Sequence, residues 1–146
     1  MARNRPVVGS RVAVVATLTF LSWLGAYVHT TLELDLPVWR PENSVPALVG
    51  VVLFLGWWRQ ALRRGLWRGL LLAWTVVGHL LLGAVLSVLP LPVWPFLPEQ
   101  SLAHYLSHAL YAAAQLPLIW VLWQEHRVSR ARLETGPDAK QLRWTD

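Results

Sequence analysis

Four apolar runs, separated by polar connections, dominate the pattern of hydrophobic and polar positions along this chain. Charged residues are nearly absent inside the runs and cluster between and after them. Runs of this length predict helices that cross a bilayer, because about 20 helical residues span its hydrocarbon core. The second run is the shortest and crosses only if Arg59 extends toward the interface. We expect the four spans at residues 12–29, 44–60, 69–89 and 101–123.

The expected fold is all-α, an integral membrane four-helix bundle that forms a single transmembrane domain over residues 1–146. Residues 124–146 are expected to extend the fourth helix into the cytoplasm and to end as a polar tail. Composition agrees with a membrane location, since 55% of the residues are hydrophobic and 14% are charged, against about 25% charged in soluble domains. The chain has no cysteine, which excludes disulfides, thiolate metal ligands and cysteine nucleophiles.

The basic residues predict the orientation. They are concentrated before the first run, between the second and third runs, and after the fourth, whereas the other two connections contain only Arg40. Basic segments stay in the cytoplasm, so both termini are expected there. Lys140 and Ile119 are the single lysine and isoleucine, a bias that follows GC-rich codons and predicts the cytoplasmic (inner) membrane of a bacterium.

The net charge of +5 is explained by this topology and predicts no nucleic-acid partner. The expected partners are the lipid bilayer and either other membrane subunits or further copies of the chain in a homo-oligomer.

A short phrase occurs twice, in the two connections that are predicted to lie outside. Leu-Pro-Val-Trp begins at Leu36 and again at Leu91, and each copy continues, after a spacer, with Pro-Glu, an amide residue and serine. Recurrence at equivalent positions predicts two related helical hairpins, a parallel repeat about an axis along the membrane normal. Glu42 and Glu99 then precede the returning helices, where a carboxylate stabilises the helix dipole.

The fourth run carries a polar stripe on one face of its helix. The stripe spans an arc of about 60° and consists of His104, His108, Tyr111 and Gln115. Lipid cannot satisfy imidazole or amide hydrogen bonds, so the stripe is expected to face the interior of the bundle.

Four further residues are expected around the same space. His79 lies near the middle of the third run, and His29, Glu42 and Glu99 belong to the predicted outer edge. Ionisable residues at such depths are candidates for function. Together with the stripe they predict an outward-facing polar pocket, although hydrogen bonding between helices is an alternative role for the stripe.

Three functions fit such a pocket. The leading hypothesis is a binding or accessory subunit of the cytoplasmic membrane. The second is a cofactor protein, in which His79 and His108 hold b-type haem, or His104 and His108 hold a divalent metal with a glutamate. The third is a lipid-active enzyme with a glutamate–histidine acid/base pair. No motif selects a reaction, so no catalytic residue is assigned.

Overall fold

The fold is known from a computed structural model that describes residues 7–59, 63–93 and 98–135. Within these residues the chain forms helices and no strand, which confirms the all-α prediction. Each apolar run of the sequence falls largely within one helix. The elements are α1 (Val7–Leu34), α2 (Pro41–Arg59), α3 (Arg64–Ala73), which continues directly as a π-helix (Trp74–Leu86), and α4 (Leu102–Thr135).

Three helical segments are long and apolar enough to cross a membrane: Gly9–Leu32, Gly65–Leu86 and Leu102–Ser129. Helix α2 is not among them, because its 19 residues include a polar first turn and end at Arg59. The structure is therefore compatible with a membrane protein of at least three spans. The fourth span stays a prediction.

The helices pack in ring order. Helix α1 contacts α2 and α4, α3 contacts the same two helices, and the π-helix contacts α1 and α4. An apolar core lies toward the end of the molecule where α1 begins, called the lower end here. It consists of Val15, Trp57, Leu71, Leu118 and Leu122. At the upper end, where α1 and the π-helix finish and α2 and α4 begin, the buried groups are largely polar.

The π-helix changes which residues of the third run share a face. The buried positions of α3 and the π-helix are Arg68, Leu71, Thr75, His79 and Ala84, with spacings of three, four, four and five. On an α-helix a five-residue step turns a side chain by about 140° from its predecessor. The wider turn, seen in the hydrogen bond from the Ser87 N–H to the Leu82 carbonyl (3.2 Å), keeps His79 and Ala84 on one side.

Helices α2 and α4, which return from the upper end, begin in different ways. Helix α2 begins at Pro41, a position that suits proline because the N–H it lacks would have no partner. Helix α4 follows Ser101, whose Oγ accepts a hydrogen bond from the backbone N–H of His104 (3.2 Å). Residues 94–97, inside the second copy of the repeated phrase, lie outside the described part of the chain. The internal repeat stays a prediction.

Candidate functional site

The polar stripe of α4 is buried. His104 and His108 are 9% and 4% exposed, Tyr111 is 6% exposed, and Gln115 is fully buried. His79, on the π-helix, is 4% exposed. The prediction that these side chains face protein rather than lipid is confirmed, while their role toward a ligand stays a prediction.

Gln115 joins α4 to α1. Its Oε1 accepts a hydrogen bond from the Ser22 hydroxyl. Its Nε2 donates to the carbonyl oxygens of Ser22 and Tyr111, both at 3.1 Å. The Gln115 amide thus finds its hydrogen-bond partners within the protein and links α4 to α1. Hydrogen bonds of this kind between membrane helices contribute about 0.6–2 kcal/mol.

Three histidine rings meet at the upper end. The ring centroid of His29, on α1, lies 4.1 Å from that of His108 and 6.1 Å from that of His104. The two rings of α4 are themselves 4.6 Å apart. Sequence reasoning predicted His29 at the edge of the same space, and the structure brings it into contact with the stripe.

The hydrogen bonds around this cluster fix two of its tautomers. The Ser107 hydroxyl donates its only hydrogen to the His104 carbonyl (2.8 Å), so it accepts from Nδ1 of His29 (3.2 Å). Nδ1 of His108 lies 2.9 Å from the Ala84 carbonyl oxygen, which can only accept. Both rings, when neutral, therefore carry their proton on Nδ1 and an acceptor lone pair on Nε2.

His79 and Tyr111 form a pair below the three histidines. Nδ1 of His79 lies 2.8 Å from the Tyr111 hydroxyl. The tyrosine reaches this position because Gly83 has no side chain, since a Cβ there would lie 2.6 Å from the hydroxyl oxygen. On the other side of α4, a Cβ at Gly25 would lie 2.6 Å from Cβ of Ala114. Two glycines, on different helices, thus allow α4 to approach closely.

A cavity of about 270 Å³ lies beside His79, among α1, α2 and α3 with its continuation. Its walls are mostly apolar, which differs from the polar pocket predicted from the sequence. Of the predicted pocket residues, His79 lines it. The other lining residues include Thr19, Phe20, Ser22, Trp23, Ala47, Gly50, Val51, Leu71, Trp74, Thr75 and Leu118.

The two predicted glutamates lie at the surface. Glu42 is about half exposed and pairs with Arg40 (3.9 Å), and Glu99 is exposed. Neither lines the cavity beside His79. Within the described ranges, no group of three or more His, Cys, Asp or Glu side chains could hold a metal ion. The divalent-metal interpretation, with His104, His108 and a glutamate, is therefore wrong for this arrangement.

The haem interpretation also disagrees with the geometry. Two axial histidines need an open slot between them, wide enough for a porphyrin. Here the Tyr111 ring packs against Gly83, and its hydroxyl contacts His79. His108 hydrogen-bonds to the Ala84 carbonyl, on the same π-helix as His79. The space beside His79 toward α4 is filled, so His79 and His108 do not fit as a haem-binding pair.

Asn43 is the amide residue of the first copy of the repeated phrase, and sequence reasoning gave it no place in the site. It is 1% exposed. Its Nδ2 donates to the carbonyls of Leu36 and Pro37, both at 3.1 Å, and its Oδ1 accepts from the Thr30 hydroxyl. The only sequence signal was its place in the repeated phrase. Through these hydrogen bonds Asn43 holds the connection between α1 and α2 against the end of α1.

The site thus combines a cluster of three imidazoles, a His–Tyr pair and an apolar cavity that the pair adjoins. Such a set can donate or accept hydrogen bonds and shelter apolar surface. No protein-family model, curated protein or solved structure matches the chain.

Proposed function

We propose that the chain is a small integral membrane protein that binds a membrane-soluble molecule in the cavity beside His79. It serves as a binding or accessory subunit of the cytoplasmic membrane of a bacterium. The observation that carries this proposal is the cavity itself, about 270 Å³ of space within helices whose composition suits the bilayer. Concave sites with mostly apolar walls and a few polar groups are typical of small-molecule binding.

The polar groups of the cavity define the chemistry of the ligand. The hydroxyls of Thr19 and Thr75 donate to carbonyls of their own helices, both at 2.8 Å. The Ser22 hydroxyl donates to Gln115. All three hydroxyl hydrogens are therefore engaged in hydrogen bonds within the protein. The His79 ring is then the main polar group that can contact a ligand. Trp74 also lines the cavity, and its Nε1 has no hydrogen-bond partner among the described residues.

A suitable ligand has an apolar body and one polar head that hydrogen-bonds to an imidazole. A carbonyl or hydroxyl head on an acyl, isoprenoid or ring-shaped body meets this description. Phe20, Trp23 and Leu71 supply apolar contact for the body, and aromatic walls with few polar groups are typical of small-molecule sites.

Four spans complete the proposed arrangement. Helix α2 crosses as a short span, and two parallel-related hairpins form a four-helix bundle with both termini in the cytoplasm. The basic residues of the described segments support this orientation, because those that lie at the lower ends of the helices include Arg11, Arg59, Arg63, Arg68 and Arg127. The upper end, with the imidazole cluster, then faces outward.

Cysteine labelling tests the orientation cleanly, because the chain has no native cysteine. Single cysteines at Arg40 and Glu99, both exposed, should react with a membrane-impermeant maleimide added to intact cells. Cysteines at Arg63 and Arg127, also exposed, should react only after the cells are opened. Labelling of the Arg63 position in intact cells would contradict the proposed topology.

Filling the cavity tests ligand binding. Gly50 lines the cavity, and a Cβ there meets only Cγ2 of Thr19, at an ordinary 3.6 Å. The Gly50→Leu variant should fold and lose binding, because its side chain occupies the ligand's space. Gly69→Leu is the matched control, since a Cβ at that helical glycine meets nothing within 4 Å.

The measurement is mass spectrometry of organic extracts from the purified proteins, together with quenching of tryptophan fluorescence by a brominated fatty alcohol. Trp23 and Trp74 line the cavity, so binding there adds a saturable component to the quenching. The original protein and Gly69→Leu should show a bound apolar molecule and this component, and Gly50→Leu should lose both. Equal behaviour of all three proteins would refute the proposal.

A further inference from the structure

Arg68 is a buried cation near the lower end of the molecule, in the contact between α3 and α4. Its side chain is 9% exposed. One terminal nitrogen, NH1, donates to the Glu125 carbonyl (3.1 Å) and to the Ser129 hydroxyl (2.8 Å). The guanidinium thereby bridges two helices, but both of its partners are neutral.

A further donor of Arg68, Nε, lacks a partner among the described residues. Ser129 donates its own hydrogen to the Glu125 carbonyl (2.8 Å), so it serves Arg68 only as an acceptor. Nε of Arg68 is buried without a hydrogen bond to any described group. In the described part of the chain, Arg40 forms an ion pair with Glu42, and no carboxylate forms one with Arg68.

A buried charge of this kind calls for an anion. Arginine cannot shed its proton, so it cannot escape burial by becoming neutral. Burial of an unpaired charge is among the most unfavourable arrangements in proteins unless an opposite charge compensates it. The guanidinium fork matches phosphate oxygens, which bind it more strongly than neutral acceptors do.

We infer that Arg68 binds the phosphate group of an anionic phospholipid at the contact between α3 and α4. Basic pockets between transmembrane helices on the cytoplasmic side are suited to such headgroups. The surface of α4 beside Ser129 is apolar and suits the acyl chains of a lipid, because Val128 is 52% exposed and the segment Leu102–Ser129 is apolar enough to cross a membrane. A free phosphate ion would gain nothing from this apolar flank.

Native mass spectrometry of the detergent-purified protein tests this site. Dioleoyl phosphatidylglycerol and dioleoyl phosphatidylcholine are titrated separately, and bound lipid is counted. The unaltered protein should bind the anionic lipid about tenfold more tightly than the zwitterionic one, as expected for a charge-assisted bidentate contact. Arg68→Gln should abolish this preference. Arg63→Gln, which removes an exposed arginine at the start of the same helix, should keep it.

Three results would overturn the inference. One is equal affinity of the unaltered protein for the two lipids, which decides the question even if Arg68→Gln fails to fold. Another is an equal loss of preference in Arg63→Gln and Arg68→Gln, which indicates attraction by overall charge. The third is displacement of the anionic lipid by inorganic phosphate but not by chloride at the same ionic strength, which assigns the site to free phosphate.

Discussion

Alanine in place of Gly25 or Gly83 is expected to lower the free energy of unfolding by about 1–3 kcal/mol, the usual cost of overpacking a core. The new methyl at Gly25 would lie 2.6 Å from Cβ of Ala114, and the one at Gly83 would lie 2.6 Å from the Tyr111 hydroxyl oxygen. Cβ of Ala114 is fixed by its own backbone, and the Tyr111 ring is rigid and buried. Helix α4 must therefore shift away from α1 or from the π-helix.

Helix propensity alone predicts the opposite result, a gain in stability from alanine. The test therefore separates close packing from helix propensity. Alanine exceeds glycine as a helix former by about 1 kcal/mol. Gly69 is the matched control because a Cβ there meets nothing within 4 Å. Gly69→Ala should thus leave stability unchanged or raise it slightly. Thermal unfolding in detergent micelles gives the comparison, and stabilisation by all three substitutions would show that α4 does not approach as closely as described.

The burial of the stripe could be predicted from the sequence because α-helical periodicity and the chemistry of lipid act together. His104, His108, Tyr111 and Gln115 recur on one face, and lipid offers them no hydrogen bonds. The same reasoning placed His79 near them. These are consequences of local spacing in a continuous α-helix, and the structure of α4 keeps that spacing.

The partners of these side chains could not be predicted in the same way. The π-helix brings the Ala84 carbonyl to His108, and no sequence pattern available for a single chain marks the change from α- to π-helical turns. The contact between His29 and His108 depends on how α1 packs on α4. The cavity likewise depends on how the helices pack, so its apolar walls could not be predicted from the stripe alone.

The two copies of the repeated phrase differ in how deeply their amide residues are buried. Each copy contains an amide residue before the serine, Asn43 in the first and Gln100 in the second. Asn43 is almost fully buried, whereas Gln100 is exposed. Nε2 of Gln100 also donates to carbonyls of its connection, at 3.3 Å to Val88 and 3.1 Å to Pro98. The two amides thus make similar bonds in different surroundings.

Burial should decide the effect of removing each amide. We expect Asn43→Ala to lower the free energy of unfolding by about 2–4 kcal/mol, because three partly buried hydrogen bonds of about 0.5–1.5 kcal/mol each, to three different partners, are lost. Those partners are the carbonyls of Leu36 and Pro37 and the Thr30 hydroxyl. Gln100→Ala should cost about 0.5 kcal/mol or less, since water replaces the amide at an exposed site.

Chemical unfolding in mixed detergent micelles, followed by circular dichroism, measures both variants against the original protein. Thr30→Val serves as a control within the same network, because of the three bonds of Asn43 it removes one, to Oδ1, together with the bond from the Thr30 hydroxyl to the Tyr27 carbonyl (3.0 Å). Its effect should fall between those of the two amide variants, at about 1 kcal/mol. Equal losses for Asn43→Ala and Gln100→Ala would mean that both connections contribute alike, and that the first is not anchored to α1 through Asn43.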